Sequence, residues 1–159
     1  MSKNNLGFKS KYGINGMAHL ELFGADGKLK EERAVENTIT ELGDAHVADQ
    51  LADVPVDAQN GFMNVGTTSG GKTAASTGLE AALTAVALTS STVGAGAADN
   101  DLIIVATFPA GTSTGALVEA GIFNLNDNTS LQCYAEFAVV NKLAADSMTI
   151  TWTTQHGAS

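Results

Sequence analysis

One cysteine, Cys133, is all that the 159 residues hold, which excludes an internal disulfide framework. Positive charge is also scarce: eight Lys and Arg face seventeen Asp and Glu, for a net charge of −9. Nucleic acid is therefore not an expected partner, because phosphate binding needs a basic patch. Long apolar runs are missing; the longest, Leu102 to Phe108, has the length of a strand, so no membrane partner is expected. No charged start followed by an apolar run opens the sequence, so no signal peptide is expected and the chain reads as soluble and made in a cytoplasm. Tyr and Trp are limited to Tyr12, Tyr134 and Trp152, a thin supply for a surface that stacks on sugars.

What is present points to one β-rich domain over residues 1–159. A chain of this length buries roughly two-thirds of its unfolded surface and needs no metal or disulfide to hold it. Residues 1–58 carry six of the eight basic and ten of the seventeen acidic side chains. The rest is rich in Ala, Thr, Gly and Ser, so its surface is either covered by other subunits or is a wet Thr/Ser-rich β face. Phe8, Ser10, Tyr12 and Ile14 alternate with Lys9, Lys11 and Gly13, and Asn15-Gly16 reads as a hairpin turn into a strand from Met17 to Phe23. Residues 1–14 read equally as that first strand or as an extended N-terminal arm. Ala25-Asp26-Gly27 is a second turn, leading to a strand over Lys28–Val35.

One short α-helix is expected around residues 40–53. Thr40 caps it, Leu42, Ala45, Ala48, Leu51 and Ala52 form its apolar face, and Pro55 closes it. A second helix over Thr77–Leu83 is weakened by Gly78. Strands are expected at Phe62–Val65, Leu83–Val93, Leu102–Phe108, Leu117–Leu125, Leu131–Val140 and Ser147–Thr154. In the last, Met148, Ile150 and Trp152 face one way and Thr149, Thr151 and Thr153 the other. Leu102 to Val105 is apolar on both faces, as in a strand at the centre of two layers or under a neighbouring subunit. The fold expected is mainly β, a sandwich of jelly-roll or Greek-key type.

Gly66-Thr67-Thr68-Ser69-Gly70-Gly71-Lys72-Thr73 fits the phosphate-binding pattern GxxxxGK[ST]. Its context does not: the strand before it is short, Leu102–Phe108 ends without a magnesium-holding aspartate, and strands do not alternate with helices. A surface loop is the better reading. His19, His46 and His156 are scattered without companions at metal-ligand spacing. Cys133 lies on an apolar strand face, as a buried and inert thiol would. Asp99, Asp101 and the loop Asn124–Asn128 lack the spaced ligands of a calcium site and read as turn residues. Glu119 is either a strand carboxylate in water or paired with a lysine such as Lys142, or a charge at a subunit contact. No catalytic residue, metal site or cofactor is expected.

VATFPAGTSTGALVEAGIFN (residues 105–124) resembles a family of small structural proteins of tailed bacteriophages and prophages. FAVVNK (137–142), Ala145-Asp146-Ser147 and TITW (149–152) are similar to that family's closing strands. NTIT (37–40), VADQL (47–51) and Val65-Gly66-Thr67 are similar to its opening, and the loop bearing Lys72 looks like a variable insert. The resemblance covers most of residues 36–154. It implies a virion protein without enzymatic activity: a capsid decoration or cement protein bound as a homotrimer to the phage major capsid protein on the head. Lys3, Lys9 and Lys11 would then meet an acidic capsid surface. The alternative it leaves open is a tail-fibre or baseplate component for host attachment.

Overall fold

The computed structural model describes residues 12–158. Ten strands form two five-stranded antiparallel sheets that face each other across one core. The first sheet runs β2 (Leu29–Glu36), β1 (Tyr12–Phe23), β10 (Ser147–Ala158), β7 (Asp101–Phe108), β6 (Ser90–Val93). The second runs β3 (Thr38–Ile39), β9 (Leu131–Lys142), β8 (Gly115–Phe123), β4 (Phe62–Gly66), β5 (Val86–Ala87). The chain changes sheet after β2, β5, β7 and β9, so the two layers are built together.

Period-two alternation produces the core. Met148, Ile150 and Trp152 are fully buried, while Thr149, Thr151 and Thr153 stay half-exposed on the outer face. Leu20 and Leu22 of β1, Ile104, Ala106 and Phe108 of β7, and Met63 and Val65 of β4 complete the same cluster. On β7, Ile103 and Val105 are left half-buried on the outside.

Four expectations are corrected. Asn15-Gly16 is no turn: β1 runs straight through it, with Asn15 opposite Gln155 and Gly16 opposite Thr154. Gly16 serves close packing instead, since a Cβ there would collide with the side chain of Asn37, whose N–H donates to the Gly16 carbonyl at 3.0 Å. Residues 1–11 of the arm-or-strand question lie outside the described residues. Leu83–Val93 is not one strand but two, β5 and β6, placed in different sheets. No helix forms over Thr77–Leu83. There the Asn128 side chain accepts from the Leu79 N–H (2.9 Å) and donates to the Leu79 carbonyl (3.0 Å), satisfying the backbone without a helix.

The fourth correction concerns α1 (Glu41–Gln50), which ends five residues before Pro55. Thr40 caps it as expected, accepting from the Gly43 N–H at 3.0 Å, and its hydroxyl donates to the Leu131 carbonyl at 2.6 Å. The face turned inward is not the apolar one. Gly43 and His46 are buried, whereas Leu42, Ala45, Ala48 and Leu51 are exposed. Gly43 decides this: any Cβ would strike the Gln132 carbonyl, so the helix sits down on β9 along its only side-chain-free line.

Candidate functional site

The loop from Gly66 to Thr73 lies on the outer face of the second sheet. Gly70 and Gly71 take positive φ of 101° and 78°, which lets the chain double back toward the strands. Lys72 then points inward and pairs with the Glu119 carboxylate. Both side chains are dry, with 2% and 0% of their surface exposed. The second Glu119 oxygen, Oε1, accepts from the Ala81 N–H at 3.1 Å. Glu136 stands directly across the β8–β9 ladder from Glu119, and its Oε1 accepts from the Gly70 N–H at 2.7 Å. Gly66, opposite Glu119 on β4, makes the space; a Cβ there would overlap the carboxylate.

This geometry disposes of the nucleotide-binding alternative by a specific route. The lysine and a glycine N–H, the groups a phosphate would need, are taken up by two carboxylates of the protein's own sheet. Thr73 starts no helix either: its N–H donates to Ser76 Oγ at 3.0 Å and its carbonyl accepts from the Ser76 N–H at 3.0 Å.

Glu119 and Leu117 are two apart on β8 and by simple alternation would share a face. The ladder shifts between these two residues, so Leu117 joins the inner core and Glu119 meets the loop. Its lysine is Lys72, not Lys142. Lys142 is itself buried, and its Nζ donates to the carbonyls of Pro109 (2.9 Å) and Asp146 (2.8 Å). Burial pushes the Lys142 amine below its ordinary range, with Asp146 opposing. The Asp146 carboxylate is held low by Lys30 Nζ at 2.7 Å and by the Leu143 N–H at 3.0 Å.

The remaining residues singled out by sequence stay apart. His19 on β1 pairs with Glu32 at 2.6 Å on an exposed face. His156 Nε2 lies 3.1 Å from Thr154 Oγ1. Cys133 is buried in the core, and loss of water pushes its thiol up to about 12, so it is not a nucleophile at neutral pH. Asp127 closes its own turn with the Thr129 and Ser130 N–H groups and both hydroxyls; burial works against the charge, and these hydrogen bonds outweigh it, holding the carboxyl low. Among the described residues no group of three or more His, Cys, Asp or Glu could hold a metal ion. No described helix is long and apolar enough to cross a membrane. Trp152 and Tyr134 are both buried.

No family model, no curated protein and no solved structure matches this chain. The surface therefore has to speak through its own chemistry. Its most distinctive feature is the outward side of α1 and the segment after it. Leu51 is 78% exposed, Val54 76% and Val56 89%, and Val93 is exposed across the neighbouring groove. That groove, about 440 Å³, runs between α1 and the edge strand β6 and includes Val47, Leu51, Val93 and Leu102. Its surroundings are acidic: Glu41, Asp44, Asp53 and Asp57 are exposed, and no Lys or Arg occurs between Arg33 and Lys72. The loop is not loose. Asp49 accepts from the Val56 (2.9 Å) and Asp57 (2.9 Å) N–H groups, and these bonds hold its carboxyl below the usual range.

His46 sits under this surface. It is buried, its Nδ1 has no hydrogen-bond partner, and burial lowers its pKa while Asp57 and Asp49 oppose. A histidine whose folded-state pKa lies below its unfolded value favours folding above the unfolded value, about 6.5, and loses that contribution as pH falls. Melting temperature is expected to drop between about pH 7 and pH 5, and His46→Leu is expected to flatten that drop. An unchanged slope in the variant, measured by thermal melts across the range, would assign the acid sensitivity elsewhere.

Proposed function

We propose that this protein is a non-enzymatic structural component of a tailed-phage particle, a decoration protein that binds the major capsid protein on the outside of the head. The observation that carries the reading is the cluster of exposed apolar side chains Leu51, Val54 and Val56 at the end of α1 and in the segment after it. Large apolar side chains held in water at a helix end are arranged for a protein partner. Two further features support it. The groups that chemistry would require, Lys72, Glu119, His46 and Cys133, are buried in internal contacts, and the segments quoted above resemble small virion proteins. The rigid sandwich and the tethered loop present the contact face without ordering cost. Trimeric association would multiply a modest single contact over the lattice.

Immunogold labelling of intact particles with an antibody to this protein tests the assignment. Gold distributed over the head is the expected result. Gold confined to the tail would replace it with the fibre or baseplate alternative, and unlabelled particles would overturn a place on the virion surface.

A further inference from the structure

The Lys72–Glu119 contact is unusual in what it lacks. A lysine ammonium carries three protons, yet neither Lys72 Nζ nor Glu119 Oε2 has a hydrogen bond to any other group. Lys72 Nζ and Glu119 Oε2 are thus sealed from solvent without the extra hydrogen bonds that normally make such a pair tolerable. Condensation of such a pair needs a free amine and a carboxylic acid, and transfer of one proton from ammonium to carboxylate across the contact supplies both.

We propose that Lys72 and Glu119 condense to an intramolecular isopeptide bond that fastens the 66–73 loop to strand β8. The Lys72 Nζ lone pair attacks Glu119 Cδ, and the negative charge develops on Oε1, to which the Ala81 N–H already donates. Oε2 departs as water, taking the acid proton and one proton from nitrogen. One C–N bond forms and one C–O bond breaks, with no oxidant or activating group consumed. The amide left behind has one N–H and one carbonyl in place of two buried charges, and its carbonyl keeps the Ala81 hydrogen bond. Folding supplies the driving geometry. The Glu136–Gly70 bond and the positive φ of Gly70 and Gly71 set the lysine down on its partner, turning a reaction that is slow between free molecules into one between fixed neighbours.

Glu119 is not an isolated acid on an open strand, which is why this pair and no other qualifies. Lys142, the other buried lysine among the described residues, donates to two carbonyls and to no carboxylate. Lys30 and Asp146 pair at a half-exposed lysine that water can reach.

Intact-mass measurement of the purified wild-type protein, followed by peptide mapping, decides the matter. The expected mass is lower than that of the sequence by one water, about 18 Da, with a branched peptide joining the Lys72 and Glu119 segments. Lys72→Arg, which retains the charge but offers a guanidinium in place of the amine, is expected to fold and to show the full mass. Full mass in the wild type would overturn the proposal. So would a water loss that maps elsewhere, for instance to the Asp26-Gly27 turn.

Discussion

Lys72→Met is expected to destabilise the fold by about 3–5 kcal/mol, the usual cost of leaving a buried carboxylate without its partner. Glu119 would remain sealed under the loop, with only the Ala81 N–H to support its charge. For a chain of this size the loss corresponds to a fall in melting temperature of roughly 10 °C. Thermal unfolding of the wild type, Lys72→Met and the double variant Lys72→Met/Glu119→Gln measures it. Glutamine keeps the Ala81 hydrogen bond without the charge, so an electrostatic loss is largely restored in the double variant. A loss that persists there reports instead the missing tie between loop and strand. Single and double variants both melting with the wild type would show that the pair contributes nothing to stability.

The second large effect is expected at Trp152, fully buried in the middle of β10 between β1 and β7. Trp152→Ala removes the largest side chain of the core and is expected to cost about 3–5 kcal/mol through lost burial and the cavity left behind. Trp152→Phe should cost far less than its change in volume suggests. The indole Nε1 has no hydrogen-bond partner, so phenylalanine also removes a buried donor that carries a desolvation cost. Chemical denaturation of both variants separates the two terms; equal losses would mean that the indole N–H is not a burden.

Much of the sandwich was legible in the sequence, and the exceptions are physical. Strands over Phe62–Val65, Leu102–Phe108 and Leu131–Val140 announce themselves because one face of each must be apolar to meet the other sheet. The inward face of α1 was hidden because it is selected by the absence of a side chain at Gly43 and not by the presence of apolar ones; periodicity sees only the latter. Asn15-Gly16 has the composition of a turn, but twelve paired positions along β10 outweigh two permissive residues. Leu83–Val93 looks continuous since nothing in its composition marks where the chain leaves one layer for the other. At the loop, the glycines and Lys72 were visible and so was Glu119. Their meeting depends on a register shift in β8 and on Glu136 catching Gly70, both non-local, and the closest sequence guess was therefore the wrong lysine.

The position of β10 has a consequence for synthesis. Of the described strands it is the last to be made, yet it occupies the centre of its sheet, with β1 on one side and β7 on the other. Until it arrives, β1 and β7 have no common neighbour and each presents a bare strand edge, the template on which unfinished chains stick to one another. On the ribosome β1 and β7 must stay apart, yet ready, until residues 147–158 emerge. A chain cut short before Ser147 therefore loses the whole layer and not merely one strand of it, and its natural fate is aggregation rather than a smaller fold.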